Sequence, residues 1–341
     1  MAHSVGFYYS VLIWAAILYG AGVAFKFGSL FLYEAFMPWV TDEPVKKKPK
    51  PHPPRPAVLL WWWLGAYLIL SGLAQIPPVV ALMPTHLMHN LPLVLAQRSL
   101  GRAMVNTWLR GFGIHPIMYN ILVFMIEAVL GLFLLTERGT PLGRVTAAIS
   151  VAWGLFIAIF PEGIGFLFSC RNSWWSGAPG PGFLLAGLSL LLVLPDRGWE
   201  ARYGRILQGA WIALWAIGTL VQLTFFSSQR LACLFPTGPH LAEPSFLWST
   251  IRALHQAAAR DPLVLNLVLT VLTALIGILG LRPRSTLSLV AALVLLLALW
   301  WLGQNIGLNA GFALMLNSAP LWAAGFAALQ ASIHGRAGTA S

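Results

Sequence analysis

Residues 115–136, HPIMYNILVFMIEAVLGLFLLT, and residues 261–281, DPLVLNLVLTVLTALIGILGL, decide the fold of this chain. Each begins with an X-Pro pair and continues as a nearly unbroken apolar run of the ~20 residues that an α-helix needs to cross a bilayer. Proline fits the first turn of a helix, and Asp261 is predicted to cap the second one. The apolar residues do not alternate with polar ones, so the pattern predicts membrane helices and not barrel strands.

The composition of the whole chain agrees, because 58% of its 341 residues are hydrophobic and only 9% are charged. A soluble domain needs more polar surface than this to cover its core. We therefore expect an all-α membrane protein with about nine transmembrane helices. The predicted spans are residues 7–32, 57–76, 117–136, 145–168, 181–195, 207–226, 262–281, 286–305 and 319–334.

Lysine and arginine predict the orientation of these helices, because loops rich in them stay in the cytoplasm during insertion. The first linker carries Lys46, Lys47, Lys48, Lys50 and Arg55, which predicts a cytoplasmic linker, an outer N-terminus and a cytoplasmic C-terminus. We expect a multi-pass membrane protein in this orientation. The positive charges that give the chain its net charge of +11 are distributed along the ends of the loops, as membrane topology predicts. We therefore predict membrane lipids, and no nucleic acid, as partners.

The chain after residue 57 is predicted to contain one four-helix unit twice, in the same orientation. The matching pairs, which are 146 or 147 positions apart, are Pro116 with Pro262, Asn120 with Asn266, Gly131 with Gly277, and Gln75 with Gln222. The predicted organisation is an N-terminal transmembrane helix (1–40), a cytoplasmic Lys/Pro linker (41–56), a first repeat (57–200) and a second repeat (201–341).

Two kinds of segment besides the membrane spans are predicted on the outer side. Residues 161–180 and 303–320 are rich in Gly, Pro and polar residues, and they are expected to dip back into the outer leaflet under cover of protein or water. The stretches 100–110 and 246–260 mix apolar residues with arginine, which suits helices that either lie in the membrane interface or pack on an external partner. The candidate docking residues are Arg98, Arg102 and Arg110.

Each half resembles the DoxX/DoxD-like group of four-helix bacterial membrane proteins. The motifs that carry the resemblance are Glu162, Gly163 and Gly165 with Ser176-Gly177-Ala178-Pro179-Gly180, and then Gly303, Gln304 and Gly307 with Ser318-Ala319-Pro320. The resemblance covers residues 57–335 and implies a tandem four-helix fold in the bacterial inner (plasma) membrane. It also implies a role like that of DoxD-type proteins, which are membrane subunits of a thiosulfate oxidation coupled to quinone.

Glu127 is the most informative single residue, because a carboxyl near the middle of a span is costly and generally faces the interior of a bundle. Asn120 precedes it by two helical turns and is expected on the same face, whereas Thr273 stands at the corresponding place in the second half. Glu127 is either a structural hydrogen-bonding group or a proton-accepting or quinone-binding one. The full set of ligand or proton candidates is Glu127, Asn120, Gln75, Glu162 and Gln304.

Motifs of catalysis and of resident cofactors are missing from the sequence. It has no phosphate-binding loop, no dinucleotide fingerprint and no cysteine pair at metal-ligand spacing, and His86 and His89 are interpreted as surface residues. We predict neither catalytic nor metal-binding residues, and no cofactor in the chain apart from a bound quinone. Cys170 and Cys233 are predicted on the same outer side, where they are able to form a disulfide.

Two function classes follow from these observations. The first is a non-catalytic membrane subunit of a quinone-linked redox assembly in the respiratory chain, which binds quinone or holds other subunits in place. The second is a transporter of small solutes, coupled or not to protons. A stand-alone enzyme is not expected, because no nucleophile and base are recognisable.

Overall fold

The computed structural model describes residues 53–74, 99–112, 116–167, 169, 172–196, 198–199, 202–235, 245–304 and 317–337. The predicted N-terminal helix at 7–32, almost all of the Lys/Pro linker at 41–56, and His86 and His89 lie outside these residues. Within them the chain is helical, and no strand is present.

Eleven helices, numbered here along the chain, form the described part. They are α1 (Arg55–Leu73), α2 (Ser99–Phe112), α3 (Pro116–Thr136), α4 (Pro141–Ile159), α5 (Pro181–Val193), α6 (Tyr203–Leu223), α7 (Ser228–Ala232), α8 (Ser245–Arg260), α9 (Pro262–Leu279), α10 (Thr286–Ala298) and α11 (Ala319–Ala337). A 3-10 turn at Trp174–Ser176 precedes α5, and a π turn at Leu299–Gly303 continues α10.

Five helices among the described residues are long and apolar enough to cross a membrane. These are α1, α4, α6, α9 and α10 with its π turn. Shorter apolar stretches lie within α3 (Ile121–Thr136) and α11 (Ala319–Ile333), and the whole of α5 (Pro181–Val193) is one. An all-helical protein with several apolar, membrane-compatible helices is therefore confirmed, whereas the total of nine spans stays a prediction.

The large helices form two four-membered groups with the same order of contacts. In the first, α1 packs on α3, α3 on α4, α4 on α5, and α5 on α1; in the second, α6, α9, α10 and α11 pack in the same cyclic order. The groups meet where α11 packs against α1 and α5. Each group is thus a closed bundle, which is the arrangement that the predicted duplication requires; the duplication itself stays a prediction.

Glycines let the helices of the first group approach closely. A Cβ atom on Gly65 of α1 would lie 2.8 Å from the carbonyl oxygen of Gly131 on α3, and one on Gly154 of α4 would lie 2.7 Å from that of Gly182 on α5. Small residues at helix crossings favour van der Waals contact between backbones inside a membrane. This packing brings the backbone of α1 close to the interior face of α3, which carries Glu127.

The outer surface of the bundle is apolar. On α9, Leu263, Val264, Leu267 and Val268 are between 48% and 67% exposed. Soluble proteins rarely expose contiguous apolar patches of this kind. We therefore assign this surface to the lipid of a membrane.

Two details of the sequence prediction need correction. The span predicted at 145–168 ends as a helix at Ile159, because residues 160–167 form consecutive turns with positive φ angles at Gly163, Ile164, Gly165 and Phe166. Asp261 precedes α9 as predicted, but its side chain makes no capping hydrogen bond.

Candidate functional site

Glu127 is buried inside the first bundle, where α3 directs it toward α1 and α4. A Cβ atom on Gly72 of α1 would lie 3.4 Å from the Cβ atom of Glu127. Trp153 of α4 donates from its indole Nε1 to Oε1 of Glu127 at 3.4 Å. The other carboxyl oxygen, Oε2, is buried and has no hydrogen-bond partner among the described residues. The prediction that Glu127 faces the interior is consistent with this geometry, although its role stays open.

Glu162 lies in the turns that follow α4 and is also completely buried. Its Oε1 accepts a hydrogen bond from the backbone N–H of Gly182 at 3.0 Å, in the first turn of α5. Burial raises the pKa of Glu162 to about 8, against the lowering effect of this hydrogen bond. Its Oε2 has no partner within the described part of the chain. Glu162 therefore holds the start of α5 with one oxygen and leaves the other unsatisfied.

Gln304 has a similar position at the end of α10. Its Oε1 accepts from the backbone N–H of Ala319 at 3.0 Å, and its Nε2 donates to Ser318 Oγ at 2.9 Å and to the Trp174 carbonyl at 3.2 Å. Both polar groups of the amide are thereby satisfied. Gln304 fixes the start of α11 and connects it to the first half, so its observed contacts are structural.

A buried polar network joins the two halves. The Oγ atom of Ser173 hydrogen-bonds to Oε1 of Gln222, whose Nε2 donates to Oδ1 of Asn266 at 2.8 Å. The indole of Trp175 donates to Thr273 Oγ1 at 2.9 Å. The 161–180 segment of the first half is thus anchored in the second bundle. The candidates Gln75 and Asn120, which the repeat pairs with Gln222 and Asn266, contribute no described side chain.

Tyr67 of α1 is a further polar residue that is buried in the bundle, and sequence reasoning missed it. Its hydroxyl donates to the Asn317 carbonyl at 2.9 Å and also bonds with Ser71. It interacts electrostatically with both Glu127 and Glu162. The signal that could have identified it is a tyrosine in the interior of a span, away from the interface where such rings concentrate.

An apolar groove lies between α1 and the helices α10 and α11, and Tyr67 is part of its wall. Its volume is about 590 Å³. The wall is almost wholly apolar and includes four aromatic rings, from Trp62, Trp63, Tyr67 and Trp300. No single segment of sequence predicts this groove, because its two walls come from opposite ends of the chain.

The predicted interface stretches are helices. In α2, Val105 is buried, and the ring of Trp108 contacts the ring of Phe156 edge-on, with 5.6 Å between the ring centroids. One face of α2 therefore packs against the first bundle. Arg102 and Arg110 are exposed on the same helix, whereas Arg98 lies outside the described residues. Partner docking by these arginines stays a prediction.

Cys233 is disulfide-bonded. The sequence contains two cysteines, so Cys170 is the one partner that the chain itself offers, and it lies outside the described residues. The predicted pairing of Cys170 with Cys233 stays a prediction.

Among the residues that the structure describes, no group of three or more His, Cys, Asp or Glu side chains is arranged to hold a metal ion. Comparison with known proteins shows no match: no protein-family model, no curated protein and no solved structure has significant similarity to the chain. The groove and the buried polar groups are the features of the molecule that bear on its function.

Proposed function

We propose that this protein binds a quinone in the groove between α1, α10 and α11 and serves as a membrane subunit of a quinone-linked redox assembly. The groove is the observation that carries this proposal. Ligand sites have volumes of roughly 300–1,000 Å³ and mostly apolar walls with few polar groups, and this groove of about 590 Å³ has both properties.

The chemistry of the wall suits a planar ring with an isoprenoid tail. The indoles of Trp62, Trp63 and Trp300 offer flat surfaces for offset stacking, and leucine side chains such as Leu293 and Leu297 offer aliphatic contacts for a tail. Trp62 and Leu297 are about half exposed at the surface of the bundle. A ligand dissolved in the bilayer therefore reaches the groove from the lipid, without crossing an aqueous phase.

The redox partner is proposed to be another subunit, as the resemblance to DoxD-type membrane subunits implies. The outer arginines on α2, including Arg102 and Arg110, are exposed and would contribute charge-assisted contacts to such a partner. In this proposal the chain supplies the quinone site and the docking surface, and the partner supplies the electrons.

A matched pair of tryptophan variants tests the quinone site. Trp300 lines the groove, whereas its neighbour Trp301 does not. In lipid nanodiscs that contain the purified chain, Trp300→Ala should weaken binding of a radiolabelled short-chain quinone by about tenfold, because an aromatic contact contributes ~1.5 kcal/mol. Trp301→Ala should bind as the parent chain does. Equal affinity of all three proteins, or no saturable binding by the parent, would reject the proposal.

A proton-coupled transporter is the second candidate function. The observation that favours it is the pair of fully buried carboxyls, Glu127 and Glu162, since ionisable groups inside a membrane protein often mark an ion or proton path. Proteoliposomes that contain this chain alone separate the two candidates. Solute-dependent proton flux that Glu127→Gln abolishes would favour the transporter, and its absence with intact quinone binding would favour the subunit.

A further inference from the structure

Another cavity, of about 610 Å³, lies at one end of the second bundle, around the loop that connects α9 to α10. Its wall consists of the loop residues 281–285, Gln208 of α6 and Ile333 of α11. The loop contributes two arginines to this wall, Arg282 and Arg284, and both are exposed. The apolar groove described above has a different chemistry, so the two cavities suit different kinds of ligand.

The loop that carries the two arginines is held from both sides by neighbouring helices. From α6, Gln208 donates through its Nε2 to the carbonyl of Gly280 at 3.0 Å. From α11, Gln330 donates through its Nε2 to the carbonyl of Ser285 at 3.3 Å. Because the backbone of the loop is fixed before a ligand arrives, less conformational entropy is lost on binding than in a loose loop.

The positive charge of this cavity is not balanced by acidic residues nearby. The sequences of α6, α9, α10 and α11, and of the loop 280–285, contain no Asp or Glu. Arg282 and Arg284 form no ion pair with any residue that the structure describes. Two like charges in one wall repel each other, and an anion between them replaces this repulsion by attraction. The cavity therefore suits an anionic ligand.

The corresponding loop of the first bundle, between α3 and α4, has its arginines occupied. Arg138 stands 146 positions before Arg284, and its guanidinium carbon lies over the ring of Trp62, 4.5 Å from the centroid. Arg144, in the first turn of α4, pairs with Asp196 at 3.0 Å. These two arginines have partners within the chain, so the unbalanced charge is a property of the second bundle.

The cavity lies at the level of a membrane surface. Helix α9 has 18 residues and is therefore about 27 Å long, close to the ~30 Å of the hydrocarbon core. The loop after it thus reaches the phosphate groups of the lipids. Leu281 of the wall and Leu287 of the first turn of α10 are 57% and 77% exposed, so apolar surface adjoins the arginines. In the predicted orientation this end faces the cytoplasm, where the leaflet carries anionic lipids.

We propose that Arg282 and Arg284 bind a phosphate group in this cavity, and that an anionic phospholipid of the membrane supplies it. Guanidinium groups hold phosphate oxygens through paired, charge-assisted hydrogen bonds. A volume of about 610 Å³ is enough for a whole headgroup, and the acyl chains extend along Leu281 and Leu287. This site goes beyond the proposed function and does not depend on what occupies the apolar groove.

Equilibrium binding of radiolabelled phosphatidylglycerol to the whole chain in detergent micelles tests the proposal. The parent chain should bind this lipid saturably, and zwitterionic phosphatidylcholine should compete weakly. Arg284→Gln should weaken binding by about tenfold, because it removes charge-assisted hydrogen bonds to the phosphate, and Arg282→Gln should act similarly. Arg138→Gln, which removes the same charge from the corresponding loop of the first bundle, is the matched control and should bind as the parent chain does.

Inorganic phosphate as a competitor identifies the source of the phosphate group. If millimolar phosphate leaves the lipid bound, the site belongs to a phospholipid. If it displaces the lipid from the parent chain, the phosphate site stands but the lipid source is overturned in favour of a soluble phosphate compound.

The site itself would be overturned by an absence of saturable binding to the parent chain, or by equal affinities of the parent, Arg284→Gln and Arg138→Gln. Both arginines of the cavity are exposed, so the substitutions leave the buried core intact. If Arg284→Gln fails to yield a monodisperse protein, Arg282→Gln decides the outcome. None of these measurements requires quinone, so this proposal and the proposed function can fail separately.

Discussion

Glu162 links the protonation state of a single residue to the stability of the fold. Burial raises its pKa from 4.5 to about 8, so the folded chain binds this proton more tightly than the unfolded chain does. The stabilisation is complete below pH 4.5 and is lost as the pH rises from 4.5 through 8.

We predict that the melting temperature in mild detergent falls between pH 5 and pH 8, by an amount equivalent to a few kcal/mol of unfolding free energy. Glu162→Gln cannot titrate and keeps an acceptor for the Gly182 N–H, so its melting temperature should change less than that of the parent chain over this interval. Part of the change should persist, because the buried carboxyl of Glu127 remains in this variant. Glu137→Gln should retain the slope of the parent chain. A slope in Glu162→Gln equal to that of the parent chain would show that Glu162 does not contribute.

Gly165 is required where the chain turns after α4. Its φ angle is +62°, and a Cβ atom there would lie 1.9 Å from the Pro179 carbonyl oxygen, so alanine would both strain the backbone and collide with it. Gly165→Ala should lower the unfolding free energy by about 2 kcal/mol or more. Gly187, in the middle of α5 with open space around it, is the control, because alanine there should stabilise by ~0.5–1 kcal/mol. Thermal unfolding of both variants measures the contrast; similar shifts would contradict the described turn.

At the scale of elements, the segment between α4 and α5 holds the two bundles together. Trp174 and Trp175 are both buried, but only the indole N–H of Trp175 has an acceptor, whereas that of Trp174 has none among the described residues. Replacing either residue by phenylalanine removes a similar volume. The difference between the two variants therefore isolates the hydrogen bonds between the halves.

Trp175→Phe should cost about 1 kcal/mol more than Trp174→Phe, which is the net contribution of a typical buried hydrogen bond. Unfolding in a denaturing detergent titration measures this difference. If Trp174→Phe is as destabilising as Trp175→Phe or more so, packing and not hydrogen bonding holds the segment.

The positions of the helices followed from the sequence, because each apolar run and its initial proline act locally. Helices α3 and α9 begin at the predicted prolines, Pro116 and Pro262, and α5 begins at residue 181, where a span was predicted to start. The end of α4 did not follow, since residues 160–168 remain largely apolar and a hydropathy window cannot detect positive φ angles. Glu127 was predicted as a site residue because a carboxyl in the middle of an apolar span is conspicuous, and Glu162 was predicted as one of its polar neighbours.

The surroundings of these carboxyls could not be predicted, because they depend on contacts between distant parts of the chain. Tyr67 and Asn317 are 250 residues apart, and the groove combines α1 with α10 and α11. The packing of α11 against α1 that creates both features is a property of tertiary structure. A single apolar sequence contains no periodic signal that specifies which helices become neighbours.

At the scale of the whole molecule, the two bundles have the same order of helix-to-helix contacts but differ in chemistry. The first contains two buried carboxyls with unsatisfied oxygens, and the described interior of the second is closed by Trp175 and Thr273. Their junction creates the groove. If the predicted duplication is correct, one copy has kept polar, proton-binding groups while the other supports it and supplies the second wall of the groove.

The central claim is that a quinone occupies the groove between the halves, and photoaffinity labelling tests it most directly. A photoreactive quinone analogue in membranes should label peptides from both α1 and α10, around Trp62 and Trp300, and excess unlabelled quinone should prevent the labelling. Peptides from α9, whose exposed Leu263 and Leu267 face lipid in the same membrane, control for non-specific insertion. Labelling of α9 equal to that of α1 and α10, or labelling that unlabelled quinone does not reduce, would contradict the account.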